Sequence, residues 1–194
     1  TFGWAAIEIC VKDVFAAHER MKPSPFAIIG PPNPIAVLPE IHPMQVLGPD
    51  GEVVYLTEIK IGGPGSGLPD VHSAIDKLFI CVLACPDMAA TARWAGGQLN
   101  LHIAPEISIP YRMINQSFGF PKERQHRLTS ADHDKDIFLE FDQYPEEATK
   151  RPSAPGQLPP GVSICTLSHP DIDSLPGPWF SAPVVRNAAI YDGR

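Results

Sequence analysis

Apolar and polar positions along this chain fall into short segments that recur in one order. Residues 4–11 (WAAIEICV) form an apolar run without breakers and predict a strand. Asp13 follows as a candidate N-cap, with Val14, Ala17 and Met21 at helical spacing. That helix should span 14–21 and stop before Pro23 and Pro25. Residues 26–30, 44–47 and 53–59 predict three more strands, the last two joined by the hairpin signal Gly48-Pro49-Asp50-Gly51. The order is βαβββ.

The same order begins again downstream. A strand is expected over 78–83, a helix from an Asp87 cap through about Trp94, extended segments at 101–103 and 107–112, and a final strand at 137–141. A third start has a strand at 162–167, a short helical segment near 172–175 and a strand near 180–185. Ile-Cys-Val at 9–11, Ile-Cys-Val at 80–82 and Ile-Cys-Thr at 164–166 each lead shortly to an aspartate: Asp13, Asp87 and Asp171. The copies lie 71 and 84 residues apart, which is longer than a solenoid repeat of about 20–50 residues. The expectation is an α+β protein of repeated βαβββ modules that form curved mixed sheets around a cleft. The modules are 1–62, 70–144 and a partial third at 158–194. The proline- and glycine-dense stretches 63–69 and 145–157 serve as linkers.

Composition narrows the chemistry. With 44% apolar residues in 194, the chain can bury a core, while 23 prolines disfavour a helical bundle. The net charge of −7, with no long basic cluster, argues against nucleic acid, and no apolar run reaches the length of a membrane-spanning helix. Cys10, Cys81, Cys85 and Cys165 sit in apolar runs at spacings that suit neither zinc nor a disulfide framework, so reduced core thiols in a cytoplasmic protein are expected. No G-x-S-x-G is present, and GGPGSG at 62–67 lacks the Lys-Ser/Thr ending of a phosphate loop.

The repeated βαβββ units, the Asp-led helix entries and the hairpin GPDGEVVYL resemble the vicinal oxygen chelate superfamily of glyoxalases, extradiol dioxygenases and bleomycin-resistance proteins. The stretch SPFAIIGPPNP…IHPMQVLGPDGEVVYLT is similar to a bacterial glyoxalase-like subfamily with several modules. That resemblance implies a further module before Thr1 and a terminal strand after Arg194. It also implies one divalent ion (Fe, Mn, Zn or Ni) in a cleft between paired modules, held by residues of each first and last strand. Matched by position, the first-strand sites fall on Ala6 and on Phe79 or Ile80, and the last-strand sites on Tyr55 and Glu140. Glu140 alone is a family-like ligand, and with His102 and His126 it would make a two-histidine, one-carboxylate set.

Glu8, in the middle of an apolar strand, either faces solvent or enters a polar cleft, because burying an unpaired carboxylate is costly. In the cleft orientation Glu8 and Tyr55 join Glu140 as candidate catalytic groups, and Gln45 could bond the same small molecule. Tyr111, Arg112 and Asn115 form a polar-aromatic group suited to a second cleft wall, with Arg112 as an anion holder. The implied function is metal-assisted lyase, isomerase or dioxygenase chemistry on a small oxygen-rich metabolite, in a protein that could be a homodimer. The alternative is a metal-free binding module of the resistance type.

Overall fold

The computed structural model describes residues 1–133, 137–169 and 171–175, and nine strands and three helices lie within them, the first five elements in the expected βαβββ order. The first half comprises β1 (Gly3–Val11), α1 (Val14–Met21), β2 (Ala27–Gly30), β3 (Ile41–Leu47) and β4 (Val53–Ile59). The second comprises β5 (Ile75–Cys85), α2 (Met88–Gln98), β6 (His102–Ile103), β7 (Ile107–Ile109), α3 (Arg112–Phe118), β8 (His126–Asp132) and β9 (Leu139–Gln143).

All nine strands share one curled sheet in the order β2-β3-β4-β1-β5-β9-β8-β6, with β7 also paired to β8. Each half repeats one topology. Its first strand pairs in parallel with its last, Glu8 opposite Tyr55 in β1–β4 and Val82 opposite Glu140 in β5–β9. The halves meet at the antiparallel β1–β5 pair, whose register shifts at three places and so bends the sheet there.

Side chains alternate across this sheet and split the core. Helix α1 packs Val14 and Ala17 over Val11, Met44, Val46 and Leu56 on the outer face. Helix α2 does the same with Met88, Ala92 and Ala95 over Cys81, Leu139 and Phe141. The inner face carries Ala6, Cys10, Tyr55, Ile80 and Val82, with Ile109, Tyr111 and Ile114 closing over it. Cys10, Cys81 and Cys85 are buried and unpaired, as small core residues.

Both helices start in matching ways. Asp13 Oδ1 accepts from the N–H groups of Phe15 and Ala16 at 2.8 and 2.9 Å, and Asp87 Oδ1 from Ala90 at 2.9 Å. The last strand of each half adds a second acceptor: Glu58 takes the Val14 N–H at 3.1 Å, and Gln143 takes the Met88 N–H at 3.0 Å. Glu58 and Gln143 lie three residues beyond Tyr55 and Glu140, so the two halves coincide residue by residue along β4 and β9. Asp13→Ala should lower unfolding free energy by about 1 kcal/mol in urea titrations. Adding Glu58→Ala should cost more than either change alone, since the first turn then loses both acceptors.

Several expectations need correction. Residues 162–167 form no strand. Among the described residues no neighbouring strand offers them a ladder, Ile164 and Leu167 are exposed, and Arg151 Nη1 takes the Pro160 and Val162 carbonyls instead. The extended segment 107–112 stops at Ile109, and Arg112 opens α3 after Pro110. Helix α2 runs past Trp94 to Gln98, and His126–Asp132 forms β8, a strand the sequence pattern does not mark. The segment expected near 172–175 is a 3-10 turn, Ile172–Ser174, and the strand expected near 180–185 lies outside the described residues. No described helix is long and apolar enough to cross a membrane.

Candidate functional site

The inner face of the sheet opens into a cavity of about 190 Å³. Its floor comes from a cross-strand row. Gln45 on β3 stands opposite Tyr55 on β4, and Tyr55 stands opposite Glu8 on β1. Glu140 enters from β9, so each half contributes one carboxyl from a different position of the same topology. The β2–β3 loop arches over the opening with Pro34, Ile35, Val37 and Leu38, while Ile109, Tyr111, Arg112 and Met113 form the opposite wall. The arch is held by turns, Leu38 N–H to Ile35 O and Ile41 N–H to Leu38 O, both 2.9 Å.

Glu8 faces the cavity and is 8% exposed; Ile7, Ile9 and Val11 point to the α1 and α2 side. Its Oε2 accepts from Thr57 Oγ1 at 3.2 Å. Tyr111 donates to Glu140 Oε1 at 3.4 Å and lies 3.0 Å from Tyr55 Oη, so the two phenols form a chain that ends on Glu140. Asp142, two residues beyond Glu140 on the same strand face, is 1% exposed, and its Oδ1 finds no donor among the described residues. No salt bridge among the described residues reaches Glu8, Glu140 or Asp142.

Low polarity and mutual repulsion hold protons on this group. Burial first, then the charge of Glu140, raises Glu8 to about 8, against the opposing Thr57 bond. Glu140 is also raised by burial, with the bonds from Asp142 and Tyr111 acting the other way. Burial and the two glutamates push Asp142 well above the ordinary carboxyl range. Burial likewise keeps the Tyr55 and Tyr111 phenols neutral, far above their usual range. At neutral pH the arrangement pairs a protonated Glu8 with Glu140, the glutamate better supplied with hydrogen-bond donors.

Of the residues singled out from sequence, Glu8, Gln45, Tyr55, Tyr111, Arg112 and Glu140 line this cavity. Asn115, His102 and His126 do not. Asn115 is 2% exposed and turned away, its Nδ2 donating to the Lys122 and Arg124 carbonyls at 3.1 and 2.9 Å and its Oδ1 accepting from His126 Nε2 at 2.7 Å. It staples the 119–125 loop to α3. Burial, then Arg124, lowers the His126 pKa, so the ring is a neutral core donor. Ser130 is the β8 residue opposite Glu140, and His126 lies four residues from it, about 13 Å along the strand. His102 pairs with Asp132 on the exposed rim at 3.2 Å. The expected His102–His126–Glu140 ligand set is therefore not assembled. Among the described residues no three His, Cys, Asp or Glu side chains converge on a point that could hold an ion. The donors present do not fit a divalent metal.

Sequence reasoning missed Asp142, although DIFLEFDQ places it in phase with Glu140, and it missed α3, which Gly119 marks. Gly119 is the left-handed cap of that helix at φ 69°. It missed Gly30 as well. A Cβ there would lie 1.9 Å from Gln45 Oε1, so the absent side chain is the seat of the Gln45 amide. Gly30→Ala should cost about 1–3 kcal/mol in urea. Most of that loss should disappear in a Gln45→Ala background, a coupling a double-mutant cycle reads directly.

No protein-family model matches the chain, and no curated protein does. Solved structures do. Glyoxalase I from Zea mays superposes with a TM-score of 0.51 at 16% identity, over 73% of this chain and 43% of that one. Its V278E mutant gives 0.52 at 16%, over 76% and 44%. Methylmalonyl-CoA epimerase from Mycobacterium tuberculosis gives 0.47 at 14%, over 75% and 89%. The chain thus spans less than half the length of the maize enzyme. At this identity the likeness to glyoxalase I is one of fold.

Proposed function

On the vicinal oxygen chelate fold that the maize glyoxalase I superposition shows, we propose that this cavity catalyses proton transfer on a small oxygen-bearing molecule, an isomerase-type reaction at a C–H bond next to a carbonyl. The observation that carries the reading is the meeting of Glu8 and Glu140 in one apolar-walled cavity, neither of them ion-paired among the described residues. Glu140, supported by Tyr111, takes the proton, and Glu8 returns one from the other strand. The Tyr55–Tyr111 pair keeps the base oriented, and Arg112 on the wall can hold a carboxylate of the substrate. The Ile35–Leu38 arch gives that side of the cavity an apolar wall. No step is routed through a metal ion, because the donor set does not fit one.

The test is deuterium incorporation from D₂O into a panel of 2-oxo acids, hydroxy ketones, 2-amino acids and acyl thioesters. The wild-type chain should label at least one class, and Glu8→Gln and Glu140→Gln should label it about 10²–10⁴-fold more slowly. Labelling at the wild-type rate in both variants contradicts the reading. The open cavity also suits a binding-only module of the resistance type, and saturable ligand binding without any exchange would favour that alternative. The buried, unpaired thiols suit a reducing, cytoplasmic setting. Modules at 1–62 and 70–144 remain the proposed domain plan.

A further inference from the structure

Most polar side chains that line the cavity already have a partner within the protein. Glu8 accepts from Thr57, Tyr55 and Tyr111 share a bond, Tyr111 reaches Glu140, and Asn33 Nδ2 donates to the Pro34 carbonyl at 3.1 Å. Gln45 and Arg112 differ. Neither side chain makes a hydrogen bond or an ion pair among the described residues. Gln45 is nevertheless only 8% exposed and faces the cavity. A buried amide without a partner in the protein is costly unless a bound polar atom serves it.

The two residues lie at one end of the cavity. Gln45 Oε1 sits 1.9 Å from where a Gly30 Cβ would be, and Met113 Sδ would lie 3.3 Å from that same Cβ. Gln45 therefore abuts the first turn of α3, where Arg112 immediately precedes Met113. Glu8 stands two strands away in the row Gln45–Tyr55–Glu8, about 10 Å at the backbone. The cavity thus has an acid–base end and an amide–guanidinium end.

We propose that Gln45 and Arg112 together bind a carboxylate, so that the substrates of this cavity are keto acids. The carboxylate sits at the α3 end and the reacting C–H points toward Glu8 and Glu140. The inference rests on the proton-transfer reading of this cavity and names its substrate class. Arg112 supplies charge-assisted bonds, and the Gln45 amide donates to an oxygen of the same group. Ile41, Ile109 and Met113 face the carbon skeleton. An anion held there leaves the acid and the base intact. Its charge is met by Arg112, and what remains of its field favours the protonated form of Glu8.

The experiment is calorimetric titration of the full chain at neutral pH with 3-benzoylpropanoate and with its primary amide, which keeps the ketone and the ring and lacks the charge. The acid should bind about ten-fold more tightly than the amide, or better. Arg112→Gln should bring the acid down to the affinity of the amide. Gln45→Met keeps the bulk, removes the donor and should weaken the acid about three-fold or more. Equal affinity for the two ligands on the wild-type chain, or no binding of the acid at millimolar concentration, overturns the proposal. So does a preference for the acid that survives Arg112→Gln, or acid binding untouched by Gln45→Met. The wild-type comparison decides even where a variant fails to fold. Deuterium exchange on the panel separates the two readings. Exchange confined to hydroxy ketones or acyl thioesters removes the carboxylate site and leaves proton transfer standing. A preference for the acid with no exchange in any compound removes the proton-transfer chemistry alone.

Discussion

Glu8→Gln is expected to make the protein more stable than wild type at pH 9 and to leave it nearly unchanged at pH 4. In the unfolded chain Glu8 ionises near 4.5, and in the folded cavity near 8, because burial and the Glu140 charge oppose its ionisation. Between those values the native state holds a proton that the unfolded state has released. Stability is therefore fully present below 4.5, falls as pH rises through 8, and stays low above it. Each pH unit of displacement corresponds to about 1.4 kcal/mol, so the wild-type loss amounts to several kcal/mol. Glutamine keeps the shape and hydrogen-bonding capacity of the neutral acid and has no proton to lose. Urea midpoints at pH 4 and pH 9 measure the effect: a wild-type midpoint that falls between them and a variant midpoint that moves much less. Glu140→Gln should act in the same direction, since it also removes a charge that raises Glu8. Parallel wild-type and variant profiles would mean that Glu8 ionises as it does in water.

Glu140→Gln is expected to lower the rate of deuterium exchange by about 10²–10⁴-fold, the usual contribution of a positioned general acid or base. Glu140 is placed for the role by β9, which pairs in parallel with β5 and sets its side chain into the cavity beside Tyr111. Glutamine cannot accept the proton, so kcat should fall while binding of the substrate's apolar part persists. The wild-type rate should also decline as pH rises through about 8, where Glu8 loses the proton it must donate. In Glu8→Gln that alkaline limb should vanish along with most of the rate. A pH–rate profile on one exchanged compound checks both statements. An unchanged rate in Glu140→Gln, or an alkaline limb that survives Glu8→Gln, goes against the assignment.

Local signals carried most of the first half of the fold. The run WAAIEICV, the Asp13 cap and the GPDG turn each act over a few residues, and β1, α1 and β4 formed where those signals lie. Alternation puts Glu8 on the face opposite Ile7, Ile9 and Val11 but leaves open whether that face meets solvent or a cleft, and the structure puts it in the cavity. The second half was harder to read because its outcome depends on partners. His126–Asp132 is a strand by virtue of lying between β9 and the short β6 and β7. Residues 162–167 have an equally apolar pattern but no described neighbour to pair with, and they stay irregular. Ligand expectations failed for a similar reason. His126 belongs to a hydrogen-bonded core with Asn115, and register puts it far along β8 from Glu140. Alternation alone gives the face of a strand, not the position along it. Asp142 and Gly30 gained meaning only from what surrounds them, an unshared carboxyl oxygen and the Gln45 amide.

The most direct test of opposite protonation states on Glu8 and Glu140 is carboxyl ¹³C NMR on protein labelled at glutamate, with Glu8→Gln and Glu140→Gln to assign the two signals. At pH 7 the account predicts a protonated Glu8, titrating near 8, and an ionised Glu140. Two carboxyls that titrate together in the ordinary range near 4.5 would contradict it.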